Sequence, residues 1–157
     1  HLLGPAGGKS VLEVGAGRGS LSAYFADAGW DVTMLDASDA ARSLALAAFE
    51  AHGLRGSYDV GDAMALPYSD HAFDVVFSIG LLEHFDDIGV VLREQVRVLK
   101  PGGMLFVYIV PEKHSRVQGE CEWVNDVLRA TVSGTDRPKD PVYRTRLGLR
   151  AYLSELN

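Results

Sequence analysis

The residues best suited to chemistry in this chain of 157 residues begin with three glycines in alternate positions, Gly15, Gly17 and Gly19, in the run VLEVGAGRGS. They follow a short apolar segment and precede a helical pattern. Glycine lets the backbone approach a ligand where a Cβ would collide, and a helix N-terminus attracts anionic groups. The run therefore predicts a nucleotide-binding turn, with a tight strand-to-helix turn that binds nothing as the alternative.

The spacing of these glycines argues against two common phosphate loops. A dinucleotide turn has the form G-x-G-x-x-G, whereas Ser20 stands where the third glycine would be. A P-loop needs Gly-Lys-Ser/Thr after a four-residue spacer. The similar GGKS at residues 7–10 precedes the apolar segment and lacks the earlier glycine, so we interpret it as a turn.

Two acids follow later apolar segments. Asp36 ends the second predicted strand, where a carboxylate can accept both hydroxyls of a ribose; the alternative is a cap on the next helix. Asp62 and Ala63 follow the third strand. An acid there can accept from an adenine amino group while a backbone N–H meets a ring nitrogen, and the alternative is an ordinary turn.

Three side chains are candidates for proton transfer. Glu83 and His84 follow the fourth predicted strand, and His114 follows the fifth. Histidine titrates near neutral pH, and a carboxylate can also take a proton from a reacting group. The alternatives are that Glu83 braces a loop, that His84 packs over a ligand, and that His114 lies on the surface.

The elements that must position these residues alternate regularly. Strands are predicted at 10–15, 31–36, 56–60, 72–80 and 104–110, and helices at 17–28, 38–53 and 86–99. Ser38 is the predicted N-cap of the second helix, and Gly53 its stop. This alternation predicts an α/β fold, a Rossmann-like, doubly wound, mostly parallel sheet with helices on both faces. Ligands bind such sheets at the carboxyl ends of the strands, where the strand order reverses.

Two details of packing follow from the pattern. The third helix should bury its apolar stripe and end sharply at Lys100-Pro101-Gly102-Gly103; the stripe comprises Ile88, Val91, Leu92, Val96 and Leu99. Tyr108 on the fifth strand is predicted to lie in the core.

The chain is predicted to be a single domain, residues 1–157, with its ligand-binding core in 1–111. Residues 112–143 turn polar and contain several glycines and prolines, which favours a lid on the substrate side. A last helix is predicted in 144–157, and the abrupt stop suggests a truncated chain. Cys121 is predicted to pack in the core.

Composition narrows the functional class. The net charge is −6 and the isoelectric point is about 5.3, which argues against a nucleic-acid surface. No apolar run approaches the roughly 18 residues of a membrane span, and no signal-peptide pattern is present. A single cysteine allows neither an internal disulfide nor a Cys-rich metal site. We expect a cytoplasmic protein without a metal ion.

Five stretches together resemble the class I S-adenosylmethionine-dependent methyltransferases, and among them the small-molecule type 11 methyltransferase domain. They occur in family order and with family spacing over about residues 9–110. The stretches are VLEVGAGRGSLS, VTMLDAS, GDAMALPYSDHAFDVVFS, LLEHFDD and LREQVRVLKPGGMLFV. The resemblance implies S-adenosylmethionine as cofactor. It also implies a seven-stranded sheet, whose C-terminal antiparallel hairpin we expect to be missing here.

The resemblance also implies roles for single residues. The first loop would surround the methionine part of the cofactor, Asp36 would take the ribose hydroxyls, and Ala37 would lie against the adenine. Asp62 and Ala63 would fix the adenine edge. The backbone at Ser78 and Ile79 would close the methionine side, and Leu82 and His84 would lie near the cofactor and the substrate mouth. In the first loop the methionine role would fall to Glu13, Gly15 and Gly17, and Ala16 and Gly19 are expected to bind the cofactor as well.

The expected function is methyl transfer to a small-molecule acceptor by in-line displacement. The fourth strand ends in Ser-Ile-Gly-Leu, not in the Asn/Asp-Pro-Pro-Tyr of the amino-group methyltransferases of nucleic acids. No Pro-Cys pair for cytosine C5 chemistry is present either. One alternative is a non-catalytic module that binds the cofactor or a partner. Another is an NAD(P)-dependent oxidoreductase, against which Ser20 and the lack of a Tyr-x-x-x-Lys pair count.

Overall fold

The computed structural model describes residues 7–109, which lie within one compact unit, His1–Ile109. Along them, strands alternate with helices, and a short 3₁₀ turn, Leu82–His84, follows the fourth strand. The elements are β1 Ser10–Val14, α1 Ser20–Asp27, β2 Asp31–Asp36, α2 Asp39–Ala51, β3 Ser57–Val60, β4 Phe73–Ile79, α3 Ile88–Val98 and β5 Leu99–Tyr108. The predictions for His114, Cys121, the lid at 112–143, the helix at 144–157 and the C-terminal hairpin lie outside the described residues.

The strands form one sheet in the order β3-β2-β1-β4-β5, and every pair in the described part of the chain is parallel. After β3 the chain crosses back over β1 and β2 to place β4 on the other side of β1. The strand order therefore reverses between β1 and β4. This arrangement confirms the predicted Rossmann-like, doubly wound fold.

The helices cover both faces of the sheet. On one face, α1 and α2 pack over alternate residues of the strands, among them Val11, Val32, Met34 and Phe77. The opposite set of β4, to which Ser78 belongs, faces α3. Because both faces are covered, four of the five residues of β1 are buried, as expected of a central parallel strand.

Two helices begin at side-chain caps. The hydroxyl of Ser38 accepts from the backbone N–H of Ala41 at 3.2 Å, and α2 ends just before Gly53, whose φ is +65°; both predictions are confirmed. Asp87 caps α3, since its Oδ1 accepts from the backbone N–H groups of Gly89 and Val90 at 3.0 and 3.3 Å.

Helix α1 begins differently from the prediction. It starts at Ser20 and not at Gly17, because Gly15, Gly17 and Gly19 all take positive φ, which is incompatible with a right-handed helix. Its N-cap, Gly19, has no side chain to bond the free N–H groups of the first turn.

Two packing predictions are wrong. Val96 is 55% exposed and the buried stripe of α3 passes through Gln95 and Val98 instead, while Leu99 already belongs to β5. Tyr108 is 53% exposed, because β5 lies at the edge of the described sheet. In both cases neighbouring elements, and not the period of the pattern, decide which face is covered.

Candidate functional site

A cleft opens at the carboxyl ends of the strands, where the strand order reverses. Its volume is about 670 Å³, within the range of roughly 300–1,000 Å³ usual for small-molecule sites. One wall is formed by the ends of β1, β2 and β3, and the other by the segment after β4. The lining residues are Gly15, Leu35, Asp36, Ala37, Val60, Gly61, Asp62, Ala63, Gly80, Leu81, His84 and Phe85.

Asp36, the last residue of β2, is the half-buried acid of this cleft. Its Oδ2 accepts from the backbone N–H of Gly17 at 2.9 Å, and its Oδ1 accepts from the N–H of Ser38 at 3.0 Å. These two bonds fix the carboxylate in the cleft wall. A carboxylate offers about four lone-pair sites, so Asp36 keeps capacity for two further donors. The alternative role as the cap of α2 is taken by Ser38.

Tyr58 of β3 anchors the glycine loop through a hydrogen bond. The hydroxyl of this buried tyrosine donates to the carbonyl of Gly17 at 2.8 Å. Burial, together with the charge of Asp36, raises the pKa of Tyr58 to about 12, so the hydroxyl remains a donor at neutral pH. The peptide groups on both sides of Gly17 are thus bonded to neighbouring strands, which fixes the loop next to Asp36.

Gly15 and Gly80 both line the cleft, and both have positive φ. A Cβ on Gly15 would come within 2.8 Å of Leu81 Cδ1, so the glycine leaves room for the Leu81 side chain at this point. The loop after β4 and the loop after β1 are therefore in close contact.

Asp62 and Ala63 lie at the cleft end of the segment between β3 and β4. Asp62 is exposed, and its Oδ1 accepts from the N–H of Met64 at 2.8 Å. Its carbonyl accepts from the N–H of Ala65 at 3.1 Å. Ala63 is 7% exposed. The turn thus presents a carboxylate beside a buried backbone segment.

Glu13 belongs to β1, yet its carboxylate points away from the cleft. Its Oε2 accepts from the backbone N–H and the hydroxyl of Ser22, at 3.1 and 2.5 Å. It therefore serves α1 as an N-terminal acceptor in place of the side chain that Gly19 lacks. Burial raises the pKa of Glu13 to about 7, although both hydrogen bonds from Ser22 oppose the shift.

Gly19 is a packing residue. It has a φ of +67°, and an added Cβ would collide with the sulfur of Met34 and touch the ring of Phe49. Gly19 thus lets α1 approach the sheet, which is the purpose of the third glycine in a dinucleotide turn. In this chain the packing glycine is Gly19, one position earlier than the third glycine of the G-x-G-x-x-G pattern. Ser20 therefore does not occupy the position of that third glycine in the fold.

Ser78 is fully buried on the face of the sheet opposite α1. Its hydroxyl donates to Oε1 of Gln95 at 3.3 Å. The Nε2 atom of Gln95 has no hydrogen-bond partner among the described residues. Ile79 is partly buried and packs against the core on the α1 side.

His84 and Glu83 are adjacent but face different environments. His84 is exposed and lines the cleft. Glu83 is 6% exposed, and its Oε1 lies 3.3 Å from the Cβ position of Gly80. Its Oε2 has no partner in the described part of the chain. Glu83 is therefore separated from the cleft by the Gly80 backbone.

The structure brings six of the predicted site residues to the cleft: Gly15, Asp36, Ala37, Asp62, Ala63 and His84. The other seven do not line the cleft: Glu13, Ala16, Gly17, Gly19, Ser78, Ile79 and Glu83. Sequence reasoning missed Leu35, Val60, Gly61, Gly80, Leu81 and Phe85. Their position beside the predicted strand ends was the available signal, since carboxyl ends of parallel strands share one edge.

Two features are absent from residues 7–109. No group of three or more His, Cys, Asp or Glu side chains is placed to hold a metal ion. No helix there has the length and apolar character needed to cross a membrane.

A parallel, doubly wound sheet with a glycine turn and strand-terminal acids at its switch point defines the Rossmann-like nucleotide-binding class. Within this class, residues 12–107 match the model of the methyltransferase domain family. The chain belongs to this family, and the predicted resemblance to the S-adenosylmethionine-dependent methyltransferases is confirmed.

Relatives with assigned activities include two methyltransferases. Methyltransferase GfsG of Streptomyces halstedii is 38% identical over 130 residues, which cover 81% of this chain and 44% of the relative. The 2-methyl-6-phytyl-1,4-hydroquinone methyltransferase of Synechocystis sp. is 34% identical over 134 residues, covering 83% and 41%. The chain spans about half the length of the curated relatives it matches.

A protein of known structure that shares the fold is named for another reaction. The [4+2]-cyclase SpnF superimposes with a TM-score of 0.64 at 33% identity, over 69% of this chain and 41% of that protein. The family fold is therefore found in a protein named for a reaction other than methyl transfer.

Proposed function

We propose that this domain binds S-adenosylmethionine in the switch-point cleft and transfers its methyl group to a small-molecule acceptor. The observation that carries the proposal is the carboxylate of Asp36. It ends β2 at the cleft, is fixed by two backbone N–H groups, and keeps acceptor capacity for both hydroxyls of a ribose. Membership of the methyltransferase domain family supports the choice of ligand.

The residues around the cleft fit this cofactor. Asp36 would take the ribose, Ala37 would lie along the adenine, and Asp62 with the Ala63 backbone would meet the adenine edge. Gly15 and Gly80 have no side chain, so only backbone borders the methionine part at these points. Of the sequence-based roles, those of Glu13, Ser78 and Ile79 are proposed as indirect, through backbone atoms or support of neighbouring elements.

The bound cofactor supplies a methyl group activated on a positively charged sulfur. The contribution of the chain is to hold the acceptor in line with that group and to exclude water. Orientation of this kind can supply about 7–11 kcal/mol of a barrier. No covalent intermediate with the protein is needed.

We propose His84 as the base when the acceptor must lose a proton. It is exposed on the cleft wall, where the imidazole can reach a bound hydroxyl. Glu83 is the second candidate. Its buried Oε2 without a partner in the described residues favours a role that needs movement of the Gly80 backbone.

A small acceptor in a cytoplasmic setting completes the proposal. A relative named for a hydroquinone substrate favours a small aromatic or enolic hydroxyl compound, and the net charge of −6 disfavours nucleic acid. A protein named as a cyclase has the same fold. Cofactor binding alone would therefore not demonstrate methyl transfer, which has to be measured directly.

Calorimetry with S-adenosylhomocysteine and with NAD tests the choice of cofactor. We expect binding of the former only. Asp36→Ala should weaken it roughly 10- to 150-fold, because a hydrogen bond to a charged group contributes about 1.5–3 kcal/mol. Asp39→Ala, which removes an exposed carboxylate at the start of α2, is the matched control and should leave the affinity unchanged.

Binding of NAD in place of S-adenosylhomocysteine would contradict the proposed cofactor. Unchanged affinity in Asp36→Ala would contradict the proposed ribose contact. Incubation with S-adenosylmethionine and a panel of small hydroxyl compounds then separates an enzyme from a binding module. Tight binding without methylated product on any acceptor would support the module.

A further inference from the structure

The segment between β3 and β4 carries Asp62 and Ala63 into the cleft, but it contains turns and bends and no helix or strand. Such a segment needs outside contacts to hold a ligand group in a fixed position. In this structure the contacts come from α3. They converge on two residues one helical turn apart, Glu94 and Arg97.

The Arg97 guanidinium uses all five of its N–H donors. Its Nε and Nη2 donate to the two carboxylate oxygens of Glu94, at 2.7 and 2.8 Å. Nη2 also donates to the carbonyl of Leu66 at 3.0 Å, and Nη1 to the carbonyl of Tyr68 and to Oδ1 of Asp70, both at 2.8 Å. One side chain thus holds three successive points of the segment.

Glu94 completes the clamp at Leu66. Its Oε2 accepts from the Leu66 N–H at 2.8 Å, so the backbone of Leu66 is bonded at its N–H by one member of the pair and at its carbonyl by the other. The Leu66 side chain is 5% exposed. Both the backbone and the side chain of this residue are therefore fixed.

The turn that presents Asp62 starts only four residues before this fixed point. It is closed by the bonds from Met64 and Ala65 to Asp62, which leave little freedom between Leu66 and the carboxylate. A shift of Leu66 would be passed on to Asp62 and Ala63.

We propose that Arg97 and Glu94 are positioning residues that set Asp62 and Ala63 for recognition of the adenine edge of the cofactor. The inference rests on the proposed function, because it assumes that Asp62 accepts from the adenine amino group. Arginine is required, and lysine is not equivalent, since only the planar guanidinium can reach a carboxylate and two carbonyls at once.

The electrostatics agree with a permanently charged pair. The hydrogen bonds from Arg97 lower the pKa of Glu94, and those to Glu94 and Asp70 raise the pKa of Arg97. The side chains of Arg97 and Glu94 are 30% and 20% exposed, whereas Asp70 is 66% exposed. Glu94 is therefore the main partner, and Asp70 contributes at the rim.

The test compares S-adenosylhomocysteine with S-inosylhomocysteine, in which an oxo group replaces the adenine amino group. The wild-type chain should prefer the adenine compound roughly 10- to 150-fold, since an acceptor would otherwise face the Asp62 carboxylate. Arg97→Lys keeps the charge but loses the fork, and its preference should approach unity. A merely structural role would weaken both ligands equally and keep their ratio.

Two further variants make the result decisive. Lys100→Ala removes another ion pair, the 2.8 Å contact with Asp74, and should keep the full preference for adenine. Glu94→Gln retains an acceptor and a similar shape, and should lose part of the preference even where Arg97→Lys proves unfolded.

The outcomes separate the inference from the function on which it rests. If neither compound binds to the wild-type chain, the proposed function fails. If the wild-type chain binds both equally, or if Arg97→Lys and Glu94→Gln keep the wild-type preference, the positioning role is overturned while the cofactor assignment stands.

Discussion

Two opposing effects act on the pKa of the buried Glu13 carboxyl group. The two donors of Ser22 favour the charged form, and burial favours the neutral form; burial is the larger effect and raises the pKa to about 7. The folded chain therefore holds this proton up to about pH 7, whereas the unfolded chain releases it near 4.5. Its contribution to stability is fully present at low pH and is lost as the pH rises from about 4.5 to about 7.

We predict that Glu13→Gln removes this pH dependence. Glutamine keeps an acceptor for Ser22 and carries no charge. The free energy of unfolding of the variant, relative to that of the wild type, should therefore rise by up to roughly 3 kcal/mol between pH 5 and pH 8. Urea denaturation of both chains at the two pH values measures this. A difference between the two chains that is the same at both values would show that Glu13 stays charged in the fold.

His84 allows a kinetic test of proton transfer. His84→Gln should lower turnover on a hydroxyl acceptor by about 10²–10⁴-fold and leave the affinity for S-adenosylhomocysteine nearly intact. His52→Gln alters an exposed histidine at the end of α2 and should have no effect. Turnover of His84→Gln close to that of the wild type would leave positioning alone as the mechanism.

The sequence predicted where these side chains lie along the chain better than where they point. Asp36 and Asp62 follow strands, so their place at the sheet edge could be read from the pattern. Glu13 also lies near that edge, but its direction depends on Ser22 and on a helix N-terminus without its own cap. The contact between Glu13 and Ser22 depends on three-dimensional packing and produces no periodic pattern in the sequence.

At the scale of elements, Gly19 determines how closely α1 approaches the sheet. We predict that Gly19→Ala destabilises the fold by about 2–5 kcal/mol, combining left-handed strain of about 1–2 kcal/mol with overpacking of about 1–3 kcal/mol against Met34. Gly102→Ala provides the control, since Gly102 has a φ of +76° and open space around its Cβ position.

Thermal or urea denaturation of both variants separates the two contributions. The control should lose only the amount due to strain. Equal destabilisation in the two variants would mean that Met34 moves aside at no cost and that α1 is not limited by this contact.

Helix α3 shows why one element could not be predicted from its own sequence. The stripe Ile88, Val91 and Leu92 was predicted correctly, but its continuation at Val96 was not. Gln95 is buried instead because it meets Ser78 of β4. A polar residue on the buried face breaks the hydrophobic pattern, and only the partner strand explains why it is tolerated.

At the scale of the whole molecule, the alternation of strands and helices was enough to predict the class of fold and the edge that carries the cleft. It did not specify that the strands lie in the order β3-β2-β1-β4-β5. That order depends on the long segment between β3 and β4, whose course is fixed by Arg97 and Glu94. Their contacts join residues that no local pattern connects.

The same strand order has a consequence for how the chain folds as it is synthesised. β1 pairs with β2 early, as Val11 meets Val32, but its other edge is completed only when Val75 emerges. Until then the central strand β1 has an open edge, and closing so long a loop carries an entropic cost. The central pairing should therefore form late and set the rate of folding. The nascent first half would then be the stage most dependent on protection from aggregation.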